Sequence, residues 1–229
     1  MRKILLIALA LGIVGLISYW GFKMYQFGEV VVQDVELREA HALEQRIQSG
    51  DIIFQSSKSA QSKAIQLATH SPYSHMGIIY EKQGQYFVYE AVQPVRLTPL
   101  KKWIARGKEG HYVIKRLKNA DQVLDSITLK KMRRIGEQYM GKPYDIYFEW
   151  SDDKMYCSEL VWKIYQQATG IEIGALERLA DFDLSHDQVK AKLKERYGDQ
   201  IPLDEKVISP AAMFNSDKLM KVDSVIILN

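Results

Sequence analysis

Tyr156-Cys157-Ser158-Glu159-Leu160 holds the only cysteine of the 229-residue chain, and it stands where an amphipathic helix is expected to begin. The apolar positions Leu160, Val161, Ile164 and Tyr165 recur at spacings of three and four, which gives that helix one buried face. Cys157 falls on the same face. The first amides of a helix have no intrahelical partner and favour an anion, so a thiol placed there is a candidate nucleophile. A lone cysteine also serves often as a small buried hydrophobe, and the sequence alone leaves that reading open.

Working outward, His75 lies 82 residues upstream and opens a short apolar strand, His75-Met76-Gly77-Ile78-Ile79-Tyr80. Gln83-Gly84 is the expected tight turn to a second strand, Gln85–Val92. If that turn has two residues, Lys82 faces Gln85 and Gly77 faces Glu90. His75 shares a face with Gly77, so Glu90 lies diagonally across from His75 at roughly 7–8 Å between Cβ atoms. The histidine is then a candidate base for the thiol and Glu90 the group that orients its ring. The competing readings are a packing histidine and a solvated strand carboxylate. The backbone amide of Cys157 is a candidate oxyanion donor, and Ser151 or Asp152 is expected to cap the approach to the helix.

Further strands are expected at Asp51–Gln55, His111–Leu117 and Val222–Leu228. Helices are expected after Ser56–Ser59, over about 120–140, over 156–168 and after Pro210. Helices interleaved with short strands indicate a one-domain α+β body.

The N-terminus reads differently. Ile4–Phe22 is a run of 19 residues without a charge, flanked by Arg2, Lys3 and Lys23. At about 1.5 Å per residue it reaches about 28 Å, enough to cross a hydrocarbon core. The expectation is a transmembrane signal anchor over residues 1–23, a helical juxtamembrane spacer over 24–48 and a catalytic body over 49–229. This implies a bilayer partner and a single-pass membrane protein with an extracytoplasmic body. A cleaved secretory signal is the competitor.

A net charge of +3, to which Arg2 and Lys3 contribute, does not call for nucleic acid. His70 and His75 are separated by a proline and joined to no ligand pattern, so no metal site and no cofactor is expected.

Together, Gly50-Asp51-Ile52-Ile53-Phe54, Ser74–Tyr80, Gly141-Lys142-Pro143-Tyr144-Asp145 and Tyr156–Leu160 resemble the four signature blocks of the NlpC-type papain-like cysteine hydrolases. The histidine block comes first and the cysteine block last, which is the order of the circularly permuted, YiiX/YebB-like branch related to lecithin–retinol acyltransferase. The resemblance covers about residues 49–215. It implies a permuted papain-like fold, with a small antiparallel sheet against the cysteine helix, and, with the N-terminal span, a single-pass inner-membrane protein with a periplasmic body. It implies Cys157 as nucleophile, His75 as base, Glu90 as third member and Tyr144 as an oxyanion- or substrate-positioning residue. Ordinary members carry Asp-Cys-Ser-Gly where this chain has Tyr156-Cys157-Ser158-Glu159. That departure argues against a cell-wall stem peptide. A body held beside a bilayer and the large apolar side chains of Tyr144–Trp150 before the nucleophile point to hydrolysis or acyl transfer on a lipid-linked or N-acyl amide or ester, with a cell-wall stem peptide and a non-catalytic lipid-binding module as alternatives.

Overall fold

The structure, a computed structural model, describes residues 19–27, 38 and 41–225. The chain divides into two units, Met1–Gln45 and Arg46–Asn229. The larger holds a six-stranded sheet in which every neighbouring pair is antiparallel, in the order β4-β3-β2-β1-β5-β8. These strands are β1 (Ile52–Gln55), β2 (His75–Lys82), β3 (Gln85–Glu90), β4 (Arg96–Pro99), β5 (Tyr112–Leu117) and β8 (Leu219–Val225); β6 (Glu177–Arg178) and β7 (Lys206–Val207) form a separate pair.

The helices are α1 (Ala60–Thr69), α2 (Leu100–Arg106), α3 (Ala120–Val123), α4 (Ser126–Tyr139), α5 (Cys157–Thr169), α6 (Asp187–Tyr197) and α7 (Pro210–Phe214). Helix α5 packs against β2 and α4. Its Leu160, Val161, Ile164 and Tyr165 join Met76, Ile78 and Tyr80 of β2 in one core. The period-three-and-four apolar pattern of the helix thus meets the period-two pattern of the strand. The molecule is a mixed α+β fold with an antiparallel sheet packed against helices.

Local chemistry fixes the elements that matter most. Gln83 and Gly84 both have positive φ, 54° and 73°, the twist a two-residue hairpin turn needs, and the register runs from Lys82 opposite Gln85 to Ile78 opposite Tyr89. Ser59 caps α1 by accepting from the Ser62 amide, and Asp125 caps α4 by accepting from the Thr128 amide. That second cap divides the single helix expected over 120–140 into α3 and α4. The terminal strand begins at Leu219, before the expected Val222, and residues 226–228 of the expected strand lie outside the described residues. The sequence assigned no element to β4, α2 or α6.

The N-terminal expectation needs correction. Among the described residues no helix is long and apolar enough to cross a membrane. Residues 4–18 of the expected span lie outside the described residues, as do residues 28–37, 39 and 40 of the expected spacer. The described helical stretch, residues 19–27, contains Lys23. The transmembrane helix, the bilayer partner and the single-pass inner-membrane location do not stand. The argument for a lipid substrate from proximity to a bilayer falls with them.

Candidate active site

His75 is the first residue of β2, opposite Gln55 of β1, and is buried. Its ring stacks on the fully buried Trp103 of α2, with centroids 5.8 Å apart and planes at 23°. Nε2 lies 2.6 Å from Glu90 Oε2, and the thiol of Cys157 is within hydrogen-bonding reach of the ring. With Glu90 on Nε2, Nδ1 is the nitrogen left to the thiol. Burial pushes the imidazole pKa down, but the hydrogen bonds and negative charges of Cys157 and Glu90 outweigh it and raise the value to about 9.

Glu90 ends β3 with no exposed surface. A carboxylate there requires partners on every side. Thr98 Oγ1 donates to its Oε1 at 2.6 Å, and Arg106 Nη2 donates to the same Oε2 that pairs with His75. Burial alone raises the carboxyl pKa; His75, Arg106 and Thr98 reverse this and hold it at about 2. Glu90 is therefore an anion across the working pH range, shared between an imidazole and a guanidinium.

Cys157 is the first residue of α5, after Tyr156 in extended conformation. The Tyr156 amide donates to Glu159 Oε2 at 3.3 Å, and Glu159 Oε1 lies 2.8 Å from Lys163 Nζ. The helix start is thus closed by Glu159. Asp152, expected near the cap, instead accepts from Lys163 at 2.8 Å, and the Lys163 ammonium also donates to the Ser151 carbonyl at 2.6 Å. Ser158 donates to the Ile208 carbonyl at 2.7 Å and the Ile208 amide donates to the Tyr156 hydroxyl at 3.1 Å, which ties the segment before α7 to the cysteine.

Tyr144 stands beside this start through a bridge to Met155. Its amide donates to Gln93 Oε1 at 2.6 Å, and its hydroxyl accepts from Gln61 Nε2 of α1 at 3.0 Å. Burial and the neighbouring Cys157 charge raise the phenol pKa, so it remains a proton donor.

Two concavities meet at the Gln61–Tyr144 contact. One is apolar and reaches Cys157; Ile65, Ala68, Phe148, Leu179, Leu193 and Ile208 are among its walls. The other is polar and reaches His75; Ser57, Ser59, Ser62, Gln93 and Arg106 are among its walls.

The structure therefore brings together all four residues singled out from sequence: Cys157, His75, Glu90 and Tyr144. It adds Thr98, Trp103 and Arg106 from β4 and α2, and Gln61 from α1. The one legible signal for the additions was Glu90 itself, because a carboxylate on an apolar strand demands a cation.

Residues 46–223 match the family model described as permuted papain-like amidase enzyme, YaeF/YiiX, C92 family. The chain is 53% identical over 175 residues to the uncharacterized protein YiiX of Escherichia coli (strain K12), covering 76% of this chain and 85% of that protein. It superposes with a TM-score of 0.75 on a crystal structure described as metalloprotein yiiX from Escherichia coli O157:H7, at 51% identity over 79% of this chain and 98% of that one. On fold, block order and match over most of its length, the chain belongs to the C92 family of permuted papain-like amidases.

Proposed function

We propose that the protein is a cysteine amidase or esterase working through Cys157, His75 and Glu90. One observation carries this reading: a single buried imidazole has the thiol within hydrogen-bonding reach and a fully buried carboxylate 2.6 Å from Nε2. His75 holds the proton taken from the thiol as an imidazolium, and Cys157 Sγ attacks the carbonyl carbon beside it. The carbonyl oxygen gains negative charge, and the Cys157 amide and Tyr144 hydroxyl are the donors suited to receive it. As the tetrahedral adduct collapses, the bond to the leaving amine or alcohol breaks and His75 returns its proton to that group. Water, deprotonated by the same ring, then hydrolyses the thioester. Glu90 holds the imidazole in orientation throughout and stabilises its charged form.

The acyl part remains on sulfur, so it occupies the concavity that reaches Cys157. Those walls are almost wholly apolar. This supports an N-acyl amide or ester with an apolar acyl group over a polar stem peptide.

The solved relative is described as a metalloprotein. Among the described residues here, no three His, Cys, Asp or Glu side chains form a group suited to hold a metal ion. Glu90 sits on Nε2 of His75, with Cys157 left to the other nitrogen, so the three groups flank the ring without converging on one point. These residues do not fit a metal centre, and no step is routed through one.

Labelling by an electrophilic thiol probe tests the reading. Cys157→Ala is expected to abolish it and His75→Ala to slow it by an order of magnitude or more, about 10²-fold on the scale of general-base effects. Equal labelling of wild type and His75→Ala contradicts activation by this histidine.

A further inference from the structure

We infer that the polar cleft beside His75 is a leaving-group subsite that selects an amine carrying a carboxylate, with Arg106 as the residue that recognises it. The inference deepens the amidase reading and rests on it. The chemistry assigns the two concavities to the two halves of a substrate. The half that becomes a thioester stays with Cys157, and the half that departs receives its proton from His75. The apolar concavity is lined by Cys157 and not by His75; the polar cleft is lined by His75 and not by Cys157. The acyl half is thereby apolar and the leaving half polar.

The charge in the cleft narrows the class further. Among the described residues lining it there is no carboxylate, and apart from His75 its one charged side chain is Arg106. Arg106 gives Nη2 to Glu90, yet its side chain is 39% exposed while that of Glu90 is fully buried. A guanidinium offers five N–H donors in a planar fork, so one bond to Glu90 leaves donors for a second carboxylate. When His75 carries its proton, Glu90 is one negative charge between two positive ones. That arrangement leaves a net positive charge facing the cleft. The hydroxyls and amides of Ser57, Ser59 and Gln93 surround it with neutral hydrogen-bonding groups. The substrate class that satisfies both halves is an N-acyl amino acid with an apolar acyl chain. Its amide C–N bond is broken, the fatty acyl group passes to sulfur and then to water, and the amino acid leaves as a neutral α-amine carrying the His75 proton, with its carboxylate on Arg106.

The test is steady-state hydrolysis by the full chain of N-decanoyl-glycine and of N-decanoyl-glycinamide, its uncharged isostere, with the released amine quantified by mass spectrometry. A charge-assisted pair at the cleft predicts a kcat/KM at least about tenfold higher for the carboxylate. Arg106→Gln is expected to erase that ratio, chiefly through KM for the carboxylate substrate, and Arg106→Lys to restore part of it. A purely structural role for Arg106 through Glu90 would slow both substrates together and leave the ratio unchanged, which overturns the inference. Equal turnover of the two substrates by wild type also overturns it while leaving the amidase reading in place. Absence of turnover of either overturns it as well, and loss of His75-dependent labelling of Cys157 then shows that the amidase reading has failed too.

Discussion

At Glu90 two opposing effects are large and the sign of the outcome is clear. A carboxylate with no exposed surface should be neutral, yet three donors hold it ionised with a pKa of about 2. His75, in turn, keeps its proton up to about pH 9 because Cys157 and Glu90 overcome its burial. Glu90→Gln removes the negative charge and leaves Arg106 facing the ring. The His75 pKa must then fall, and the alkaline limb of kcat/KM is expected to move from near pH 9 toward neutrality. An unmoved limb assigns it to another group. The same shifts set stability. His75 is raised from 6.5, so its contribution is complete below about pH 6.5 and is lost as pH rises through about 9. Glu90 is depressed from 4.5, so its contribution is complete above about pH 4.5 and is lost as pH falls through about 2. Burial raises Glu159 from 4.5 to about 8 despite Lys163, so the folded state retains a proton that the unfolded state has lost, and stability also declines with rising pH across that interval. Denaturant midpoints are therefore expected to fall between about pH 6.5 and 9, and Glu159→Gln is expected to flatten the part of the decline below pH 8.

Among the elements, the β2–β3 hairpin has the strictest geometric demand. A Cβ added at Gly77 would lie 2.6 Å from the Tyr89 carbonyl oxygen, would run into Val88 Cγ1 and would reach 3.4 Å from Glu90 Cβ. Backbone must move to admit it, so Gly77→Ala is expected to cost about 1–3 kcal/mol by the measure of overpacked cores. It should also displace Glu90 and lower activity beyond the loss of stability, a split that urea unfolding and kcat measured on the same variant resolve. The hairpin was also the most legible element. Its two-residue turn fixes the register, and the register alone brings Glu90 toward His75. The cysteine helix was legible for a similar reason, since its apolar repeat and its single thiol share one face. The stretch carrying β4 and α2 was not. Arg96-Leu97-Thr98-Pro99 is a four-residue edge strand with a charge and a proline, and α2 has seven residues, too short for a helical period to declare itself. Arg106, Thr98 and Trp103 reach the site only through that stretch, so their roles emerge from packing. The N-terminal run failed in the opposite way: composition and length named a membrane span that the described residues do not contain.

Across the whole catalytic unit, the sheet supplies the histidine and the carboxylate, the helix supplies the thiol, and the connecting segments supply the walls. Residues distant in sequence line a single apolar concavity; Ile65 comes from α1, Phe148 from the loop before Cys157, and Leu193 from α6. Narrowing that concavity with Ala68→Trp is expected to reduce turnover of a decanoyl substrate much more than that of an acetyl substrate, because the acyl chain and not the reacting atoms is obstructed. Equal losses would place the acyl group elsewhere. The central claim is that the acyl group passes through the sulfur of Cys157. Its most direct test is acid-quenched mass spectrometry of the protein during turnover of a decanoyl p-nitroanilide. The account predicts a decanoyl adduct on Cys157 that disappears as substrate is exhausted, with neither adduct nor nitroaniline release in Cys157→Ala. Nitroaniline release by Cys157→Ala at a rate near that of wild type would contradict it.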